Sequence, residues 1–437
     1  MLPFALADLR ASRRLWLPAL VALTFGAACA GGVCIAVSTG LRTAAAAPAP
    51  DAIEGVRVLG GTVCLLTVIA AAGVLGTTSG MALAAQSREH ALWLLIGFSP
   101  SRLRWTLRAQ IGALAVAASI LAVPLSPLAA AVVLRQWSSM GIIPSEQLPI
   151  LEVWQPLAVA ALTLASAGWG CWGVTRRASR ISEMSALRES RAPRPAVTLI
   201  NGVISVMLLL GAAVIIGAVT MRQLGGADDR AAGALCALLM LILATLLVPA
   251  WTLRPLLWVW TAMIPSRSLS WRLARAGARF ASARTFATIV PFAIGSSLLA
   301  VLHGGGAISG GGTTLAEVGV LIGPTLAVAW VGAICAIALV GRSRRRDQRL
   351  LATAGATTGL LRRTACLEGA IYAMTALAHG ACFLVAAVVL IRITTGISLA
   401  HAATSLPWGT FGGFAALTLV TAVGAVLLTT TDSPRGR

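Results

Sequence analysis

Two charged segments, 258 positions apart, carry the residues of this chain best suited to recognising a partner. The first runs Arg88-Glu89-His90-Ala91-Leu92-Trp93-Leu94-Leu95-Ile96-Gly97-Phe98-Ser99-Pro100 and continues to Leu103-Arg104-Trp105-Thr106. The second runs Arg346-Asp347-Gln348-Arg349-Leu350-Leu351-Ala352-Thr353-Ala354-Gly355-Ala356-Thr357-Thr358 and continues to Leu361-Arg362-Arg363-Thr364. One offset of 258 aligns arginine, acid, leucine, glycine, hydroxyl residue, leucine, arginine and threonine without a gap. This is the chemistry of ion pairing and helix capping. Gly97 and Gly355 supply a left-handed stop to a helix. Ser99-Pro100 reads as an N-cap followed by proline at the first helical position, and Thr357 caps the matched site. A short amphipathic helix is expected next, carrying Leu103, Arg104 and Leu107 in one copy and Leu361, Arg362 and Arg363 in the other. Arginines alone would do no more than reach lipid headgroups. An acid held at the same spacing from the glycine in both copies, Glu89 and Asp347, adds nothing to membrane topology and marks a docking element.

Catalytic and metal chemistry have little to work with. All 34 basic residues are arginine. A Walker A loop needs lysine at the phosphates, so this sequence holds none. The four histidines, His90, His303, His379 and His401, are scattered and give no metal spacing. No catalytic, cofactor or metal residue is assigned. The eight cysteines lie in or beside apolar stretches without a CxxC pair and read as small buried hydrophobes. Within the apolar stretches Glu368, Arg254 and His379 stand out, because intramembrane charge is costly and often functional. Interfacial anchoring explains Glu368 and Arg254 most simply; a proton relay through Glu368 or His379 is the alternative.

The elements that position these groups follow from composition. The chain is 437 residues long, 58% hydrophobic and 11% charged, with a mean hydropathy of +0.87. Apolar stretches near 15–40, 57–85, 109–134, 156–176, 197–220, 232–262, 285–303, 317–341, 365–391 and 408–430 each approach the roughly 20 residues a spanning helix needs. In lipid every backbone polar group must be paired internally, so an all-α polytopic fold of about ten transmembrane helices is expected. The stretch 232–262 is overlong and carries Pro249 and Pro255, a place for a break.

Placing the N-terminus in the cytoplasm puts 27 arginines on that side and six outside. The positive-inside rule then sets both termini in the cytoplasm of a multi-pass protein of the cell membrane. The net charge of +20 is mostly this topology signal, with attraction to anionic membrane lipids added. Arginines dispersed among short loops do not make a nucleic-acid surface. The organisation is four spans, two spans and four spans: a first repeat over 1–190, a joining pair over 191–265 and a second repeat over 266–437. Each repeat opens on a mildly amphipathic arginine-bearing stretch, Leu6 to Arg14 and Leu273 to Arg284. An even number of intervening spans makes the repeats parallel rather than inverted. The exterior loops are short, and none is long enough to fold as a domain.

A segment of arginine, acid, leucine, glycine and hydroxyl residue after the second span of a four-span unit resembles the FtsX-like permease family of ABC transporters. Residues 178–190 look like that family's cytoplasmic tail after its fourth span. The resemblance covers roughly 1–190 and 266–430. It implies a permease subunit that exports or extracts an amphipathic peptide, lipid or antibiotic. It further implies a separate cytoplasmic ABC ATPase, as a dimer, to supply the energy. By the resemblance Arg88, Glu89, Leu92, Gly97, Ser99, Leu103 and Arg104, with Arg346, Asp347, Leu350, Gly355, Thr357, Leu361 and Arg362, couple to that ATPase. Many members carry a large exterior domain after the first span; residues 41–56 offer only a loop. The alternatives are a proton- or ion-coupled secondary transporter and a ligand-sensing signalling permease.

Overall fold

A computed structural model describes residues 2–46, 50–143, 147–178, 199–221, 226–265, 268–280, 282–309 and 314–431. In chain order the helices are α1 (Leu2–Ala11), α2 (Arg13–Ala46), α3 (Pro50–Ala85), α4 (Ser87–Leu95), α5 (Pro100–Ser139) and α6 (Gln155–Ala178). They continue as α7 (Leu199–Thr220), α8 (Ala227–Leu247), α9 (Pro249–Met263), α10 (Leu269–Phe280) and α11 (Ser282–Leu298). A π-helical turn, Leu299–Gly304, precedes α12 (Gly305–Ile308). The last elements are α13 (Leu315–Thr353), α14 (Thr358–Thr395), α15 (Leu399–Ser405) and α16 (Trp408–Thr431). The architecture is all-helical, and among the described residues nine helices are long and apolar enough to cross a membrane. The remaining expected span, 156–176, falls on α6, 24 residues long, of whose side chains only the apolar stretch Gln155–Gly168 lies among the described residues. The overlong stretch 232–262 divides at Val248, with Pro249 opening α9 at its first position. Proline lacks the N–H that a continuing helix would need there.

The chain forms two compact units: Met1–Arg191 with Gly319–Val340, and Ala192–Val318 with Gly341–Arg437. In the first, α2 and α3 form an antiparallel hairpin against α5. At Gly32 a Cβ would stand 2.9 Å from the Ala130 backbone nitrogen on α5, so α2 and α5 pack backbone to backbone there. Small residues permit such approach, and in lipid the resulting van der Waals contact is a main attraction between helices. One end of this unit is filled by Trp16, Leu83, Leu103 and Leu107. Trp137, fully buried, fills the other with Val33, Val56 and Val320. Arg42 pairs with Glu152 at 2.6 Å. Gln155 donates to the Ser38 hydroxyl at 2.9 Å, closing the loop before α6 onto α2.

Residues 319–340 of α13 belong to this first unit and lie along α3. The Thr67 and Thr325 hydroxyls are 3.3 Å apart, and the two positions differ by 258. Seven residues on, Val74 fills the space beside Gly332, where a Cβ would stand 2.3 Å from a valine methyl; these positions also differ by 258. Both pairs advance together, so α3 and α13 run side by side in the same direction. Ala70, Val74, Val328 and Cys335 complete one cluster along the seam. The repeat of seven is that of a parallel coiled-coil seam.

In the second unit the segment Thr285–Ile308 is the most deeply buried of the apolar helices. Ser296 donates to the Ala376 carbonyl at 2.7 Å. The amphipathic α10 buries Trp271, Ala274 and Ala278. Arg279 donates to the Trp258 carbonyl at 2.9 Å and the Thr261 hydroxyl at 2.7 Å, satisfying groups in the last turns of α9.

Candidate functional site

In the first charged segment, α4 ends at Leu95 and Gly97 takes φ +96°. The Phe98 amide donates to the Trp93 carbonyl at 2.9 Å and the Gly97 amide to the Leu94 carbonyl at 3.1 Å. These are the two bonds of a Schellman stop. The accompanying apolar contact is the Trp93 and Phe98 rings, 6.0 Å between centroids. Ser99 is extended and its hydroxyl accepts from the Arg102 amide at 3.4 Å, opening α5 at Pro100.

The second segment repeats this geometry at the same offset. Gly355 has φ +92°, Ala356 donates to the Leu351 carbonyl at 2.9 Å and Gly355 to the Ala352 carbonyl at 3.0 Å. Thr357 is extended and accepts from the Leu360 amide at 3.3 Å, opening α14. Two sequences that share few identical residues thus adopt one helix, stop and cap. Left-handed φ costs a residue with a Cβ about 1–2 kcal/mol, which is why glycine holds both stops.

The helix after the break is not the short amphipathic piece the sequence reading expects. Each is the first part of a long helix that runs on through the apolar stretch, α5 to Ser139 and α14 to Thr395. Leu103 is fully buried in the core with Trp16 and Leu107. This apolar anchor fastens the segment to the bundle, and no polar break intervenes to end the helix. The copies differ before the stop: α3 breaks at Gln86 ahead of α4, whereas α13 runs unbroken to Thr353.

Glu89, Gly97, Asp347, Gly355, Thr357 and Arg362 are exposed, as are Leu92 (50%) and Leu350 (63%). Arg104, Ser99 and Leu361 are half-buried. Each segment therefore shows an acid and an outward leucine one turn apart, beside the rigid stop. Ile96, at 81%, and Trp105, at 66%, widen the apolar surface of the first. The side chains of Arg88 and Arg346 lie outside the described residues, though their backbones are helical. Most of the tail-like stretch 178–190 lies outside them too. Loss of the cap hydroxyl in Ser99→Ala or Thr357→Ala is expected to cost about 1 kcal/mol each, seen as a lower thermal midpoint in detergent; unchanged midpoints would show the caps idle.

Of the intramembrane polar groups some are paired, whereas the Gln86 amide, the Gln110 Oε1 and both ring nitrogens of the buried His303 meet no hydrogen-bond partner among the described residues. Gln110 donates to the Asp8 carboxylate at 2.6 Å and so pins α1 to α5. Glu368, at the position matching Gln110, accepts from the Tyr372 hydroxyl. His379 Nδ1 lies 2.8 Å from the Ser297 hydroxyl and Nε2 3.4 Å from the Thr245 hydroxyl, which itself donates to the Ile242 carbonyl. Arg254 is exposed. Among the described residues no three His, Cys, Asp or Glu side chains gather as a metal site. Asp8 carries no spacing signal in the sequence, being the single acid of an apolar helix whose one basic residue is Arg10. The Thr67–Thr325 contact had a signal, identical residues at the repeat offset, that only the fold makes meaningful.

Compared with known proteins, the chain matches no protein-family model and no curated protein. The apolar helices make it a multi-pass helical membrane protein.

Proposed function

We propose that this chain is the membrane-spanning permease subunit of an ABC transporter, exporting or extracting an amphipathic substrate with ATP hydrolysed by a separate subunit. One observation carries the reading: the helix–glycine stop–hydroxyl cap recurs at one offset in both halves, each copy presenting an acid and a leucine. A loop needed only for topology has no reason to keep such backbone geometry twice. A rigid, exposed element at the root of a long helix can take a push from a partner and pass it along that helix. Here the roots are those of α5 and α14, and the partner is an ABC ATPase dimer on the cytoplasmic face of the cell membrane, the side of both termini.

The halves are read as parallel four-helix repeats, 1–190 and 266–437, with 191–265 joining them. The contact of equivalent residues Thr67 and Thr325 supports this, because a two-fold axis is where equivalent positions meet. Affinity purification from native membranes tests the proposal. A stoichiometric partner bearing its own P-loop is the expected result. A clean preparation without one, under conditions that preserve a known transporter complex, would reject it.

A second reading, a proton-coupled transporter, draws on His379, a buried imidazole joining hydroxyls from α8 and α11. Under it His379→Ala abolishes transport. Under the permease reading the same change costs stability and leaves ATP-dependent transport in the folded fraction.

A further inference from the structure

Cys34 on α2 and Cys64 on α3 bring their sulfurs to 3.5 Å, across the hairpin and 30 positions apart in sequence. Both are free thiols and half-buried. No CxxC spacing announces them; the antiparallel packing of α2 on α3 makes the pair. Sulfur contact at this distance is about 1.5 Å longer than a disulfide bond of about 2.05 Å, so bond formation requires the two thiols to rotate toward each other. Cys64 lies eleven residues inside the span that begins at Ile53, or roughly 16 Å along the helix. Water-soluble oxidants reach that depth poorly, while an oxidant dissolved in the hydrocarbon meets the thiols directly.

We propose that Cys34 and Cys64 are a dithiol which a lipid-soluble oxidant of the quinone class converts to a disulfide tying α2 to α3. Two S–H bonds break and one S–S bond forms. The two electrons and two protons pass to the quinone, which leaves as the hydroquinone. Cys64 directly follows Val63 and precedes Thr67, whose hydroxyl meets Thr325. The bond therefore stiffens the helix that carries the seam. Its braking of a transport cycle rests on the permease reading; its formation does not.

The test uses the reduced full-length protein in lipid nanodiscs, treated with decylubiquinone, then denatured and counted with a maleimide mass tag. The expected result is a fall from the eight thiols of the sequence to six, with a peptide linking Cys34 to Cys64. The Cys34→Ser and Cys64→Ser variants each keep all seven. Eight thiols after quinone, a fall seen with copper–phenanthroline but not quinone, or two thiols still lost from both serine variants would each overturn the proposal.

Discussion

Reversing both acids, Glu89→Arg with Asp347→Arg, is expected to reduce the recovered ATPase at least tenfold while the purified chain stays folded, with only a modest fall in its thermal midpoint. Both residues are exposed. Glu89 lies in the first turn of α4, where an acid stabilises the helix by about 0.3–1 kcal/mol, and Asp347 interacts within the chain, so reversal lowers the thermal midpoint without unfolding the protein. An acid facing a positive partner surface behaves differently. Truncating one member of a buried, hydrogen-bonded charge pair at an interface costs about 2–5 kcal/mol, and reversal adds repulsion. Tenfold corresponds to about 1.4 kcal/mol, so the expected loss is a lower bound. Each single reversal should give a partial loss, since the two copies present the same element. Pull-down against a wild-type control reads the first effect and thermal unfolding the second. Full retention of the ATPase in the double variant would remove both acids from the coupling surface.

The second large effect is at the α3–α13 seam. Gly332→Val is expected to abolish or severely destabilise the folded chain. A Cβ there would stand 2.3 and 2.5 Å from the two Val74 methyls and 3.0 Å from its Cβ. Carbon atoms prefer about 3.5–4.0 Å. Overpacking of this kind costs typically 1–3 kcal/mol and sometimes more. The two further valine methyls have only the occupied seam to enter. Exchanging the pair, Val74→Gly with Gly332→Val, keeps the total volume and is expected to recover most of the loss. Fluorescence-detected size exclusion after heating reads all three variants. An undisturbed Gly332→Val variant would show that α3 and α13 do not pack as described; a failed exchange would show that the seam is not symmetric enough to accept it.

The sequence reveals individual elements better than it reveals which of them touch. The glycine stop, the Ser99 and Thr357 caps and the break at Pro249 were legible because each depends on local backbone chemistry: left-handed φ, a hydroxyl acceptor, a missing N–H. The length of the helices after the stops was not. Arg104 and Arg362 look like the polar face of a short surface helix, yet Leu103 turns inward and Pro124 and Pro127 sit inside a continuous α5. Neighbour relations were hidden for a different reason. Helices facing both lipid and protein are apolar on every side, so periodicity does not say which face meets another helix. The Asp8–Gln110 bond, the Cys34–Cys64 pair and the Val74–Gly332 fit all depend on such relations. Of the candidate site, the stops and caps stand as read. The acids and leucines are exposed as a docking surface requires.

The most direct test of the coupling role is site-specific photo-crosslinking in native membranes, with a photoreactive amino acid replacing Leu92 in one protein and Leu350 in another. Both leucines point outward, so the replacements leave the core intact. The same P-loop ATPase is expected to be captured from each position, and adding Glu89→Arg or Asp347→Arg respectively is expected to remove the adduct. Capture of lipid alone at both positions, from cells that express the cognate ATPase, would contradict the coupling role.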